Sequence, residues 1–131
     1  MLQYAPQTTD DIEAALGQAA RSRADGLLVL DCPRFNAIVD KSMFVRHRLP
    51  AIYYLEVFAH AGGLMVYGPD EAAFYRRTAW YIGRILNGAK PADLPVEQPQ
   101  ELRLIINLKT AKALGLTIPP SLFLRADKVI E

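Results

Sequence analysis

Asp31 and Cys32 stand side by side after the apolar run Leu27-Leu28-Val29-Leu30. A carboxylate or thiol at a strand end is where an α/β enzyme would hold a nucleophile, so these two residues are the first candidates for chemistry. Neither completes a catalytic pattern. A phosphatase with an aspartyl nucleophile needs a second aspartate two residues on, and Pro33 occupies that position. A thiol phosphatase loop needs an arginine six residues after its cysteine, to grip phosphate with a bidentate fork; Ile38 is there instead. Cys32 with His47 or His60 would make a nucleophile–base pair, but a lone cysteine is far more commonly a packing residue. Two histidines so far apart, without an adjacent cysteine or acid pattern, make no metal site. Walker, GxGxxG and GxSxG motifs are absent from the sequence. The residues thus point to no catalytic group, no metal and no cofactor.

Binding is a better fit than catalysis. In open α/β sheets, ligands sit beyond the carboxyl ends of the strands. Three such ends are readable: Asp31-Cys32, Tyr54-Leu55-Glu56 and Tyr67-Gly68. Asp31 and Glu56 can accept hydrogen bonds from a ligand amine. Tyr54 and Tyr67 can supply an aromatic wall with a polar tip. Each acid also has a structural alternative: Asp31 can cap the helix that follows, and Glu56 can open the next helical turn. Tyr53 and Tyr54 point to opposite faces of a strand, so at most one of them lines a cleft. Arg76, Arg77 and Arg84 form a small basic stripe that reads as a solvated face. His47, between two arginines, reads as a solvated helix end.

The elements that must position these residues follow from periodicity. Ile12, Ala15, Leu16, Ala19 and Ala20 have amphipathic helical spacing, and Asp10 with Glu13 suggests a capping box. Leu27 to Leu30 reads as a strand buried on both faces. Phe35, Ile38, Val39, Ser42 and Met43 predict a helix to about residue 48, stopped by Pro50. A second strand spans 51–55, a helical turn 56–61 and a third strand 64–67. Gly68-Pro69-Asp70-Glu71 opens a long helix with proline at its first position, and Asn87-Gly88 closes it. Its inner stripe is Phe74, Thr78, Tyr81, Ile82 and Ile85. Three prolines between residues 89 and 99 predict an extended crossover. A fourth strand follows at 102–106, then helices from about Leu108 and Pro120. Strands alternating with helices imply α/β architecture with an open, doubly wound, mostly parallel sheet.

The chain has 131 residues, 51% of them hydrophobic and 22% charged, with a net charge of +1. That is enough chain for one core, and too little charge to draw it to nucleic acid or an anionic membrane. No apolar run is long enough to span a bilayer. Met1-Leu2-Gln3-Tyr4 lacks the features of a signal peptide, which predicts a cytoplasmic location for the chain as it stands.

Three stretches carry a family resemblance: RHRLPAIYY (46–54), GLMVYGPDEAAFYRRTAWYIGRILNGAKPADLPVEQP (63–99) and ELRLIINLKTAKALGLTIPPSLFLRADKVIE (101–131). From about Thr9 onward the chain resembles the C-terminal part of ABC-transporter substrate-binding proteins of the type I periplasmic class. The resemblance implies the second lobe of a two-lobed fold. Its βα core would span 7–68, helix and crossover 69–99, and the closing strand and helices 100–131, with the first lobe absent. It implies a small solute, amino-acid-like or otherwise polar or aromatic, held by lobe closure and passed to a permease, and it implies export. The loop after Asp31 and the Tyr54–Glu56 segment would face the solute. Relatives often carry a small polar residue after that aspartate; Cys32 departs from the pattern. The 69–87 helix would pack on the other lobe, as would Trp80 at its edge unless a second subunit takes that place. One lobe alone also fits a remnant that binds nothing and self-associates through this face.

Overall fold

The computed structural model describes residues 3–32, 46–99 and 101–131. Helix α1 (Thr9–Arg21) precedes strand β1 (Leu27–Val29). Strand β2 (Ala51–Tyr53), helix α2 (Glu56–His60) and strand β3 (Met65–Pro69) follow. The long helix α3 (Glu71–Leu86) leads through a 3₁₀ turn (Pro91–Asp93) to strand β4 (Leu102–Asn107). Helices α4 (Leu108–Ala113) and α5 (Pro120–Phe123) and strand β5 (Lys128–Ile130) complete the chain. The helix expected over 35–48 lies outside the described residues except for its last few.

The five strands form one open sheet in the order β1-β2-β3-β4-β5. β1, β2 and β3 run parallel, β4 is antiparallel to β3, and β5 is parallel to β4. The fold is therefore mixed α/β with a mostly parallel sheet. Its main core lies on one face, while Leu104 and Ile106 of β4 are buried on the other. Ile12, Leu16 and Ala19 of α1 pack with Ala51, Tyr53, Val66 and Ile105 of the sheet and with Phe58 of α2. Tyr53 stacks on Phe58 with ring centroids 4.8 Å apart. Burial pushes the Tyr53 phenol well above its ordinary pKa. Asn107, the one asparagine in this interior, gives its amide to the Ala59 carbonyl and caps α4 through the Thr110 N–H.

Four expectations are corrected. The capping box of α1 is Thr8 with Asp11, not Asp10 with Glu13; the threonine hydroxyl and the Asp11 carboxylate each satisfy a free backbone N–H of the first turn. β1 is not buried on both faces. It ends the sheet, and Leu28 is 68% exposed on the side away from α1. Pro69 belongs to β3 and not to α3; Asp70 is the cap, accepting from the Ala73 N–H at 3.1 Å. The closing helix from Pro120 lasts four residues, and the chain then adds β5. The C-cap of α3 is as expected, with Gly88 at φ +96°, a conformation glycine adopts without a steric cost.

Candidate functional site at the strand ends

Register pairs Val29 with Tyr53 and Tyr53 with Val66. These three side chains face the core. One residue further along, Leu30, Tyr54 and Tyr67 stand across the carboxyl end of the parallel strands. Because successive side chains alternate between faces, this second row looks away from the core. Leu30 is 70% exposed, Tyr67 49% and Tyr54 38%. Asp31 and Cys32 follow Leu30 beyond the end of β1; both are exposed, and Cys32 is a free thiol. The structure thus brings Asp31, Cys32, Tyr54 and Tyr67 to one end of the sheet and puts Tyr53 in the interior. The role of Asp31 as a helix cap falls on a segment outside the described residues.

Gly68 fixes how closely two of these strand ends approach. A Cβ at position 68 would collide with the backbone carbonyl of Tyr54. Only a residue without a side chain lets β3 pass the end of β2 this closely. The same contact holds the backbone of Tyr54 beside that of Tyr67-Gly68.

Glu56 is placed differently. As the first residue of α2, it has the free N–H groups of the helix start behind it. Its carboxylate accepts from Lys128 Nζ at 2.7 Å and lies 3.2 Å from His60 Nε2. The Lys128 hydrogen bond lowers the Glu56 pKa, with His60 adding to the effect and partial burial opposing it. The acid that opens the turn is therefore already paired, and it ties α2 to β5. His47 is likewise engaged, with Nε2 2.8 Å from Glu13 of α1.

The crossover carries a second constellation. Asp70, which caps α3, forms an ion pair with Arg103 of β4, and its N–H donates to the Glu101 carbonyl. The pairs Gly68–Arg103 and Pro69–Leu102 set the two crossing segments side by side. Arg77 is more than part of a solvated stripe. Its guanidinium lies 3.9 Å from the Trp80 ring centre and donates to Glu97 at 2.7 and 2.5 Å. Tyr81 donates its hydroxyl hydrogen to the Pro95 carbonyl at 2.6 Å. Between α3 and the crossover runs an open groove of about 800 Å³, with Phe74, Trp80, Pro95 and Pro99 in its walls.

Sequence reasoning missed Leu30 and Lys128, and it named Gly68 as a strand end without its close approach to Tyr54. Gly68 had a signal, a glycine inside a strand pattern, which the adjacent Pro69-Asp70 turned into an apparent helix start. Leu30 looked like the last core residue of its strand. Lys128 lies 72 residues from Glu56 and gave no sign of the pairing. Among the described residues, no cluster of three or more His, Cys, Asp or Glu side chains could hold a metal ion. No described helix is long and apolar enough to cross a membrane.

With that geometry in place, comparisons with known proteins give a consistent answer. A family model described as ABC transporter substrate binding protein matches residues 3–130. A conserved domain protein from Vibrio cholerae O1 biovar El Tor is similar in fold, with a TM-score of 0.86 at 24% identity; the match covers 98% of this chain and 44% of that one. An ABC domain from Streptococcus pneumonia, solved in complex with L-Trp, has a TM-score of 0.78 at 30% identity, covering 94% of this chain and 43% of that one. The ligand-free, open structure of a substrate binding protein with adhesive properties from Clostridium difficile has a TM-score of 0.66 at 20% identity, covering 98% and 43%. The chain spans less than half the length of each of these structures. Comparison with curated proteins gives no significant match.

Proposed function

This chain belongs to the ABC transporter substrate binding protein family, and from that membership we propose that its strand ends form one half of a small-solute site. The observation that carries the reading is the open row of Leu30, Tyr54 and Tyr67, with Asp31 and Cys32 just beyond Leu30, at the carboxyl ends of β1, β2 and β3. Aromatic and aliphatic faces would hold the apolar part of a solute, and Asp31 would accept from its amine. Glu56, paired with Lys128, would act at the rim, through the charge it shares with that lysine. A free thiol at position 32 would offer only a weak donor. The solute class we propose is an amino acid or a similar small polar or aromatic compound, since the pneumococcal neighbour holds L-Trp.

The role is binding without chemistry. A second lobe closing over the solute would complete the contact, and the closed form would be read by a membrane permease outside the cytoplasm. The 131-residue chain supplies one wall of that cleft and stands as a single lobe-like domain. One wall leaves the solute wet on its other side, so polar contacts are screened and little surface is buried. The test is a titration of isotope-labelled protein with L-tryptophan and a panel of amino acids, short peptides, sugars and aromatic acids. Expected are millimolar-range shifts confined to residues 30–32, 54–56 and 67, weakened in Asp31→Ala. A micromolar or tighter complex in a monomeric sample overturns the half-site reading. Shifts centred elsewhere overturn the assignment of the site.

A further inference from the structure

Asp70 is the one buried acid among the described residues, and the strand-end site makes no direct use of it. Its side chain is 5% exposed, while that of Arg103, its partner in the ion pair, is 49% exposed. An acid held this far from water depends on its cation, because a buried charge left alone is strongly destabilising. The pair sits where the chain leaves the sheet and re-enters it. Gly68 pairs with Arg103 and Pro69 with Leu102, and one step further the Asp70 N–H donates to the Glu101 carbonyl at 2.9 Å. Alternation puts Val66, Gly68 and Asp70 on one face of the strand. Arg103 stands directly across from Gly68 and reaches diagonally to Asp70. On the inner side of this pair both strands are fixed. The Gly68 backbone lies against the Tyr54 carbonyl. Leu104 exchanges two bonds with Asp127: its N–H donates to the carboxylate at 2.7 Å, and its carbonyl accepts from the Asp127 N–H at 2.8 Å. β4 is thereby anchored on the start of β5, and the exit of β3 is set by what ties it to β4.

We propose that Asp70 and Arg103 are positioning residues of the strand-end site: their ion pair fixes the direction in which β3 leaves the sheet, and the Gly68 contact passes that direction to Tyr54. The route is short. Arg103 is on the anchored strand, Asp70 is two residues past Gly68, and Gly68 touches the backbone that carries the Tyr54 ring. Pro69 stiffens the step between Gly68 and Asp70, since its ring fixes φ. A displacement of β3 is not absorbed at Gly68, because both sides of that contact are backbone and closely packed matter transmits strain. Tyr54 moves with it, and with Tyr54 moves half of the aromatic wall. Asp70 and Arg103 act through Tyr54 and not on the solute. The effect on binding rests on the strand-end reading of the site; the coupling itself is a property of the chain without solute.

The test is NMR on the full chain, first without solute. Asp70→Asn keeps the cap of α3, since asparagine caps about as well as aspartate, and removes the charge that Arg103 meets. Arg103→Met removes the other partner and leaves the cap untouched. Both variants should move the amide and ring signals of Tyr54 and the amides of 67–68 more than the signals of Tyr53 and Phe58 in the core. The double variant should add little to either single one, as for two residues acting through one contact. With L-tryptophan, the response at Tyr54 and Tyr67 should weaken by about twofold or more, as for residues that act on a site without touching it. Tyr54 signals that stay in place in Asp70→Asn overturn the proposal. Movement spread evenly over Tyr53, Tyr54 and Phe58 overturns it as well, since that is a general loosening of the fold. So do effects that add fully in the double variant, and a Tyr54 ring that moves while the L-tryptophan response stays as in the parent. A parent chain without any response to L-tryptophan defeats the solute reading instead, and the comparison without solute still decides the coupling. Should Arg103→Met fail to fold, Asp70→Asn alone decides.

Discussion

The α-carbon of Gly68 lies against the backbone carbonyl of Tyr54, so close that any side-chain carbon at position 68 would overlap the carbonyl oxygen. The neighbour is backbone and cannot swing aside as a flexible side chain would. Gly68→Ala should therefore push β3 away from the end of β2 and cost on the order of 1–3 kcal/mol, the usual range for overpacking. Gly83, inside α3, is the contrasting case, because a Cβ there meets nothing within 4 Å. Gly83→Ala should stabilise the helix by about 0.5–1 kcal/mol. Urea unfolding of both variants checks the pair; a neutral Gly68→Ala would show that the strand ends are not held together as described.

The Glu56–Lys128 pair should give the fold a pH dependence with a definite sign. Lys128 lowers the folded-state pKa of Glu56 below its ordinary value of 4.5. A group whose folded pKa is depressed stabilises the fold above its unfolded pKa and loses that contribution as pH falls through the folded value. Stability should therefore be level above about pH 5 and decline below the ordinary glutamate range. In Lys128→Met the carboxyl titration of Glu56, followed by NMR, should move up toward the ordinary value, and this part of the acid sensitivity should vanish. An unmoved midpoint would mean that the contact with Lys128 is not populated in solution. The stability change at neutral pH should be small, since both partners are partly solvated.

The sequence shows strands by their apolar runs and helices by their spacing, and that made most of this fold readable. Tyr53 and Tyr54 illustrate what alternation can decide: one enters the core beside Phe58 and the other reaches solvent. What stayed hidden depends on neighbours distant along the chain. Leu28 belongs to an apolar run that suits a central strand, but the run does not reveal that its strand ends the sheet. β5 is three residues long, too short for a periodic signal, and it exists because β4 offers it an edge. At the candidate site, residue types marked the strand ends, while the pairing of Glu56 with Lys128 required the fold.

The crossover should loosen when its two tethers to α3 are cut. Arg77–Glu97 and Tyr81–Pro95 join the helix to a proline-rich segment that forms no sheet hydrogen bonds of its own. Glu97→Ala combined with Tyr81→Phe removes both tethers without touching the core. Amide exchange should accelerate in 92–98 and stay unchanged in β3 and β4. Trp80, the only tryptophan of the chain, stacks on Arg77 and should report the release as a fluorescence change. Equal protection before and after would mean that the crossover is held by its prolines alone.

Tyr53, Tyr54 and Tyr67 should separate folding from binding. Tyr53 is 2% exposed and stacked on Phe58, so Tyr53→Ala leaves a cavity beneath α1. Truncation of a buried aromatic costs about 3–5 kcal/mol, a large share of the roughly 5–15 kcal/mol that holds a domain of this size together. Tyr54 and Tyr67, on the opposite face, are 38% and 49% exposed and have less packing to lose. Tyr54→Ala and Tyr67→Ala should change stability by no more than about 0.5 kcal/mol, as expected for exposed positions. If the strand-end row is the solute wall, these two substitutions should abolish the shifts induced by an aromatic amino acid, while a conservative Tyr54→Phe keeps them. Denaturation and titration on the same four proteins provide the measurement. Solute shifts that survive in both Tyr54→Ala and Tyr67→Ala would remove the aromatic wall from the site. A large stability loss in either would place that ring in packing instead. Only the combination of intact folding and lost response fits a surface built for a ligand, since a ring kept for packing alone would lose stability first.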